Sequence, residues 1–412
     1  MALDKPSQLT FNPTRAAGEA ALRAFAPRMG QRYESARNFD RGPGQHRDVS
    51  MLSPYVRRRI VTEQECVATA LAEHGPEGAE KFVQEVIWRG YFKGWLERRP
   101  VIWDQYRNGL VRDIAALDRD RGLCARYEQA VSGQTGLDYF DTWAEELVDT
   151  GYLHNHARMW FASIWIFTLK LPWRLGADFF YRHLIDGDPA SNTLGWRWVA
   201  GLHTRGKPYQ AQAWNIAKFT NNRFDPADAE LAEVFDGLVH EEPDGLPNVC
   251  PVRSHTQPDQ AKRTALLITE EDCRPEEFDL ARFDIAACAT LSASHLRSPL
   301  NVAPAVSAFE AGALGDAAKR AGYTPQAIKA EQPSDLVEWA KSCGAQQIAT
   351  PFVPTGPMRD WLKAAQPAFD AADISFVEWQ REWDAAIWPS ATAGFFKVKK
   401  QIPKILHQVG LS

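Results

Sequence analysis

The chain has 412 residues, and at about 150 residues per domain this length predicts two or three domains. Hydrophobic residues make up 45% and charged residues 24% of the sequence, which is typical of a globular protein with a sizeable core. A net charge of −5 argues against a strongly basic, duplex-binding surface, although a local basic groove stays open. The 6 cysteines are scattered without a CxxC pair, which argues against a disulfide framework, a zinc module and an iron–sulfur cluster. We expect no metal site and a reducing, cytoplasmic setting.

The first half of the chain, residues 1–245, is predicted to form a helical domain. Residues 76–98 carry apolar side chains at helical spacing, and 137–148 form a second such segment. A third predicted helix, 154–171, is almost wholly apolar in its second half and should lie centrally. Its longest apolar run, 159–169, is too short to span a bilayer, so no membrane partner is expected.

The second half has a different texture. Residues 246–262 are rich in Pro and Asp and are predicted to be a linker. In residues 263–412, short apolar runs alternate with helical patterns, which predicts an α/β domain with a largely parallel sheet. Strands are predicted at 265–269, 285–289, 347–353 and 374–379, and helices at 306–321, 336–343 and 358–372.

Residues 154–198 have an unusual composition. Asn155, Arg158 and Met159 are spaced so that a helix places them on one face. A second group combines two carboxylates, an amide and two tryptophans, namely Asp186, Asp188, Asn192, Trp196 and Trp198. One interpretation is a helix-capping loop beside core tryptophans, and the other is a binding site for an aromatic ligand.

These motifs resemble the FAD-binding domain of the photolyase/cryptochrome superfamily. The matching segments keep their order over about residues 33–226: SMLSPY at 50–55, Glu85-x-x-Trp88-Arg89, GQTG at 133–136, GYLHN at 151–155, Arg158-Met159, DGD at 186–188, Asn192, GWRW at 195–198, KPY at 207–209 and RFDP at 223–226. The resemblance implies an all-α FAD-binding photolyase-type domain, followed here by a smaller α/β domain with a Rossmann/HUP-like parallel sheet.

The resemblance also implies which residues bind FAD. Hydroxyls, backbone amides and one arginine suit the pyrophosphate, and the matching residues are Tyr33, Ser50, Met51, Leu52, Ser53 and Arg89. For Ser50 and Ser53, helix capping is an alternative role that can coexist with phosphate binding. The remaining matched cofactor residues are Asn155, Arg158, Asp186, Gly187, Asp188 and Asn192, with Asn192 facing flavin N5.

Light-driven DNA repair is the activity that the resemblance implies, with excited reduced FAD donating an electron that splits a pyrimidine dimer. The matched catalytic positions are Glu85, Trp88, Asn155, Met159, Asn192 and Trp198. Because Asn155 and Met159 stand where (6-4) photolyases have a histidine pair, a cyclobutane dimer is the expected lesion. The neighbouring His154 is expected to be a structural, hydrogen-bonded histidine.

Flavin reduction in this superfamily uses a chain of tryptophans. Trp196 matches the flavin-proximal member and Trp173 the middle member. The usual position of the outer member holds no tryptophan here. Trp160, Trp165 or a tyrosine such as Tyr127 could take its place, and the alternative is inefficient photoreduction.

An α/β segment after the flavin domain inverts the usual domain order. This arrangement resembles the bacterial new photolyase-like subgroup, which implies a bacterial cytoplasmic monomer acting on UV-damaged single-stranded DNA, with the α/β domain covering the flavin site. An antenna chromophore is not implied. An unrelated nucleotide-binding domain at 263–412 is the alternative.

Several basic runs are candidates for a DNA groove, although a single run is more often a solvated face. They are Arg57–Arg59, Arg89, Arg98–Arg99 and Lys397, Lys399 and Lys400. The alternative function is a cryptochrome-type photoreceptor without repair activity, and a more distant one is a single-strand-binding protein that keeps FAD as a relic.

Overall fold

The computed structural model describes residues 11–411 and divides into a helical unit and an α/β unit. The helical unit comprises α1 (Arg15–Phe25), α2 (Gln31–Ala36), α3 (Ser53–Arg57), α4 (Glu63–Glu97), α5 (Val101–Leu117), α6 (Arg121–Val131), α7 (Asp138–Thr150), α8 (Asn155–Ser163), α9 (Trp173–His183), α10 (Pro189–Val199) and α11 (Ala213–Phe219). A π-helical turn, Ile164–Thr168, follows α8. Within residues 11–411, no helix is long and apolar enough to cross a membrane.

Helix α4, with 35 residues, is the longest described helix of the helical unit. It begins with a capping box in which Thr62 and Glu65 satisfy each other's backbone N–H groups. A break at Gly75, with φ of 68°, precedes Pro76, which cannot continue the hydrogen-bond ladder. The helix predicted at 76–98 is confirmed as the part of α4 beyond this break.

The α/β unit contains β1 (Thr264–Thr269), β2 (Ile285–Ser292), α12 (Pro304–Arg320), β3 (Gln326–Lys329), α13 (Pro333–Ser342), β4 (Gln347–Pro351), α14 (Pro357–Ala371), β5 (Ser375–Trp379), α15 (Glu382–Ile387), α16 (Phe396–Lys399) and α17 (Ile402–Gln408). All strand pairs are parallel, in the order β3-β2-β1-β4-β5. The predicted architecture, a helical domain followed by a parallel α/β domain, is therefore confirmed.

The side chains of β1 alternate between two apolar cores, and one of these cores is shared with the helical unit. Leu266 and Ile268 enter the apolar core that the sheet shares with the helical unit, whereas Ala265 and Leu267 enter a second core on the other face of the sheet. Further along, Trp388 packs so closely on α4 that a Cβ on Gly94 would lie 2.6 Å from its ring. Glycine at this position lets the units approach.

The sheet has its topological switch point at β1, where α/β folds bind ligands beyond the carboxyl ends of the strands. Here the residues after β1 are three buried acids, Glu270, Glu271 and Asp272. They meet three consecutive arginines of the helical unit: Arg57 to Glu271 at 2.7 Å, Arg58 to Glu270 at 3.0 Å and Arg59 to Asp272 at 3.3 Å. The crevice is filled by this ion cluster.

The prediction that Arg57–Arg59 contribute to a DNA groove is therefore wrong. The three side chains are 0%, 0% and 3% exposed, because each is neutralised by an acid that lies more than two hundred residues later in the sequence. Burial of so many charges is tolerated only when they are paired and hydrogen-bonded. The run joins the two units and does not face solvent.

Candidate functional site

Most of the predicted flavin and lesion residues are half-buried, although they lie among fully buried neighbours. The half-buried residues are Tyr33, Ser50, Met51, Ser53, Glu85, Trp88, Arg89, Arg158, Met159, Asn192 and Trp198, Asn155 is exposed, and Leu52, Asp186, Gly187 and Asp188 are buried. Because α10 packs against both α4 and α8, the half-buried faces of these helices meet. We call the partly exposed junction of α4, α8 and α10 the cleft.

One wall of the cleft is the face of α10 that carries Asn192, Gly195 and Trp198, which recur at helical spacing. A Cβ built on Gly195 meets no atom within 4 Å in the described part of the chain. By contrast, a Cβ on Gly176 of the neighbouring α9 would lie 2.3 Å from Trp196. The Asn192 side chain is fixed by donating to the Ala177 carbonyl at 2.8 Å, which leaves its own oxygen available to a ligand.

Glu85 and Trp88 stand one turn apart on α4. Glu85 forms ion pairs with Arg37 at 3.2 Å and Lys81 at 2.9 Å. The Trp88 ring stacks on Phe395 of the α/β unit, with 3.9 Å between centroids and 13° between planes. Sequence reasoning missed Phe395, which lies some three hundred residues from its partner.

Trp198 also has an aromatic partner, because it stacks on Tyr209 with 5.4 Å between centroids. Each of the two predicted lesion-wall tryptophans is thus supported by a second ring. Such support holds a flat aromatic wall in place.

The segment before α3 is a candidate phosphate cradle. Met51 adopts a left-handed conformation with φ of 52°, and Leu52 then returns to the right-handed region before α3 begins at Ser53. Successive backbone N–H groups in such an arrangement form a concave anion-binding nest. The Ser50 hydroxyl accepts the Leu52 N–H at 3.3 Å, so this serine also shapes the turn.

Arg89 reaches this region from α4. It donates to Glu63 at 3.1 Å and to Asp188 at 3.1 Å, and this fixes its guanidinium. Lys93, one turn further along α4, lies 3.6 Å from the same Asp188 carboxylate. The i, i+4 spacing of Arg89 and Lys93 is the signal that sequence reasoning could have used to find Lys93.

Asp188 is turned away from the cleft and is 2% exposed. One of its oxygens caps α10 by accepting from the N–H groups of Ala190 and Ser191 at 3.0 and 2.9 Å. Burial opposes ionisation, but Lys93, Arg89 and Arg57 outweigh it and hold the pKa of this carboxyl well below its ordinary value. In this geometry Asp188 positions Arg89.

Asp186 pairs with Arg158 of α8, whose Nη2 donates at 2.9 Å, while Arg158 Nε donates to the Leu153 carbonyl at 2.8 Å. His154 caps the same helix by accepting the His156 N–H at 3.2 Å, and burial lowers its pKa to about 3. The buried imidazole with its bond at Nδ1 supports the prediction that His154 is structural.

Tyr33 packs edge-on against Phe82, with 5.2 Å between centroids. Burial, followed by the nearby Glu85 carboxylate, raises the pKa of its phenol. Arg37 lies beside both Tyr33 and Glu85 and was not found from the sequence.

The aromatic rings around Trp196 form a chain of neighbouring rings. Trp165, in the π-helical turn after α8, lies 6.2 Å from Trp196, and Tyr127 lies 6.1 Å from Trp165. Tyr127 is 9% exposed, and its hydroxyl accepts from Arg182 at 3.3 Å. The predicted middle member, Trp173, packs on Tyr106 at 5.9 Å.

These residues fit FAD. Gly195 leaves space on the α10 face, the nest at Met51 with two serines suits a diphosphate, and Arg89 and Arg158 are held in fixed orientations. Asn192 offers a polar contact to an aromatic ring system on the same face as Trp198.

Comparison with known proteins agrees with this geometry. Residues 82–233 match the family model described as the FAD binding domain of DNA photolyase. The deoxyribodipyrimidine photo-lyase of Streptomyces griseus is 36% identical over 200 residues, which cover 47% of this chain and 42% of the relative. That of Vibrio cholerae is 32% identical over 196 residues, covering 46% and 40%.

Among solved structures, a bacterial class III photolyase from Agrobacterium tumefaciens matches 50% of this chain and 43% of its own, at 25% identity and a TM-score of 0.41. The chain spans about two-fifths of the length of the first curated relatives it matches. The residues matched by the family model, 82–233, include Glu85 and Trp88 of α4, the α10 wall and the rings of Tyr127, Trp165 and Trp196, whereas the nest at Met51 lies before them. Residues 82–233 of the helical unit are therefore similar to the FAD binding domain of DNA photolyase.

Proposed function

We propose that this chain is a light-driven DNA lyase that splits cyclobutane pyrimidine dimers. The observation that carries the proposal is that α10, whose face with Asn192 and Trp198 is open at Gly195, packs on α4, the helix that carries Glu85 and Trp88. Relatives named deoxyribodipyrimidine photo-lyase support it. The cleft offers separate groups for a cofactor and for a pyrimidine dimer removed from the stack.

The lesion side of the cleft would hold an extruded dimer, whose removal from the stack costs less than that of an undamaged base. Trp88 and Trp198, each supported by a second ring, would supply flat walls, and Met159 an apolar contact. The Glu85 carboxylate would accept the imide N–H of the lesion, and Arg37 orients that carboxylate.

On the cofactor side, the bound reduced FAD supplies the light-excited electron. Arg89, the two serines and the nest at Met51 would hold its pyrophosphate. Asn155, Arg158, Asp186 and Asn192 would contact the remainder. The path from Trp196 through Trp165 would connect the flavin site to Tyr127.

We propose single-stranded DNA as the substrate form. The net charge of −5 disfavours tight duplex binding, and the arginines of the basic run Arg57–Arg59 are already paired with acids in the ion cluster. Exposed bases of a single strand can stack on the aromatic walls without a broad basic surface.

The domain arrangement that we propose is a catalytic domain at 1–245, a linker at 246–262 and an α/β domain at 263–412 that covers one side of the flavin site. It is the inverted order of the new photolyase-like subgroup, which would make this a monomeric protein of the bacterial cytoplasm. The ion cluster that fills the crevice beyond β1 supports the absence of an antenna chromophore and argues against a nucleotide site there.

A light-dependent repair assay tests the proposal. Reduced, FAD-loaded protein is mixed with UV-irradiated oligothymidine, and recovery of thymine absorbance is followed in blue light and in darkness, on the single strand and on its duplex. Recovery only in light, and faster on the single strand, is expected. Absence of recovery with FAD bound and reduced would contradict the repair function and would favour the photoreceptor alternative.

A further inference from the structure

The α/β unit places an exposed aromatic side chain next to the cleft. Phe395 is 6% exposed and stacks on Trp88, whereas the following residue, Phe396, is 78% exposed. Gly394, just before them, has open space around it, since a Cβ there meets no atom within 4 Å in the described part of the chain. An apolar ring held in solvent beside a proposed substrate wall needs an explanation.

The segment around Phe396 is firmly attached to the helical unit. Tyr91 donates its hydroxyl to the Ala393 carbonyl at 3.0 Å, and Arg99 donates to the Thr392 carbonyl at 2.8 Å. On the other side of Phe396, Val398 is completely buried. The exposure of Phe396 is therefore built into an anchored segment and does not result from a loose end.

Three lysines follow this ring in the sequence. Lys397 and Lys400 are exposed, and neither has an acid partner within residues 11–411. Lys399 lies 3.8 Å from Glu80, which is itself largely exposed, so that pair is weak. In a chain with a net charge of −5, this is a local excess of positive charge beside an aromatic platform.

We propose that residues 393–400 form a binding site for the single strand that flanks the lesion. Phe396 stacks on an unpaired base, and Lys397 and Lys400 contact the adjoining phosphates, which is how aromatic and basic residues combine on single strands. We call this segment the strand rim. The inference rests on the proposed function, and it assigns to the α/β unit a direct role in choosing single strands.

Binding of unirradiated oligothymidine by the full chain, followed by fluorescence anisotropy over a salt series, tests the rim. Phe396→Ala is expected to weaken binding about 5- to 150-fold, the usual range for loss of one base–aromatic stack. Replacing Lys397 and Lys400 by alanine should reduce the slope of log affinity against log salt by about 1.4, because each phosphate contact on a single strand contributes about 0.7. Val111→Ala, on α5 and 60% exposed, and Lys363→Ala, on α14, are matched controls.

Wild-type affinity and slope in the rim variants would overturn the proposal, provided that thermal unfolding shows them folded. A change in oligomeric state without a change in DNA binding would overturn it too, because the rim would then be a contact between copies of the chain. Repair of a thymine-dimer dinucleotide by the wild-type protein keeps the two claims apart. If the wild type repairs neither the dinucleotide nor irradiated oligothymidine in light, the proposed function fails. If it repairs both and the rim variants bind DNA like the wild type, only the strand-rim proposal fails.

Discussion

Gly195 offers a direct test of where the cofactor lies. It stands inside α10 between Asn192 and Trp198, and its α-carbon faces open space, whereas glycines elsewhere in the core, such as Gly176, face a ring within 2.3 Å. If the α10 face is the flavin cradle, a side chain at residue 195 must compete with FAD for this space. We therefore expect Gly195→Leu to lose flavin while remaining folded.

The magnitudes follow from helix and packing energetics. Without FAD, a side chain in place of a helical glycine reduces the entropy lost on folding, and it stabilises the helix by about 0.5–1 kcal/mol. For a chain of 412 residues, whose unfolding entropy is about 2.1 cal/mol/K per residue, this corresponds to a rise in Tm of about 1 °C. With FAD, forcing a branched side chain into a filled space costs about 1–3 kcal/mol, or about 5- to 150-fold in affinity.

The assay measures the flavin-to-protein absorbance ratio of purified protein and FAD affinity by fluorescence quenching, together with the Tm of the apoprotein. Gly315→Leu is the matched control, since Gly315 also lies inside a helix, α12, with no atom within 4 Å of its Cβ in the described residues. Gly315→Leu should leave flavin binding unchanged. Wild-type FAD affinity in Gly195→Leu would refute the placement of the cofactor on the α10 face.

Three further predictions concern electron transfer, domain docking and pH. Trp165→Phe should slow photoreduction of the oxidised flavin by an external thiol more than Trp173→Phe does. Flavin absorbance under blue light measures both rates, and the reverse order would favour Trp173 as the middle member of the chain. Glu271→Ala leaves the fully buried Arg57 without its 2.7 Å partner, so urea denaturation should show a loss of about 3–5 kcal/mol, and a loss below about 1 kcal/mol would contradict a tightly docked interface. Burial lowers the pKa of His203 to about 3, so in acid the unfolded chain binds a proton that the folded chain does not, and stability falls between about pH 6.5 and 3. At pH 5 this group lowers the free energy of unfolding by about 2 kcal/mol. His203→Gln should therefore reduce the difference in unfolding free energy between pH 7 and pH 5 by about that amount, and an unchanged difference would exclude the effect.

Local sequence patterns predicted much of the fold. Helical spacing of apolar residues located the second part of α4, and short apolar runs located four of the five strands. The edge strand β3 was missed, because three of its four residues are exposed and it has no apolar run. An edge strand is defined by its neighbour, β2, which sequence periodicity does not show.

The site was predictable where a motif is contiguous and unpredictable where two distant segments meet. Asn192, Gly195 and Trp198 share a helix face, so their spacing alone places them together. The burial of Arg57 and the stacking of Phe395 on Trp88 depend on the docking of a second unit, and charge or aromaticity in the sequence does not reveal a partner that distant. The π-helical turn likewise shifts Trp165 in a way that an α-helical pattern cannot anticipate.

The measurement that tests the central claim most directly is the quantum yield of dimer repair in wild type, Glu85→Ala and the matched control Lys81→Ala, at equal occupancy of reduced FAD. Lys81 pairs with the same carboxylate from the outside of α4, so its loss leaves Arg37 to orient Glu85. We predict light-dependent repair by the wild type, a strongly reduced yield for Glu85→Ala and a near wild-type yield for Lys81→Ala. Equal yields for all three, with flavin retained, would contradict a lesion pocket built on α4 beside the flavin.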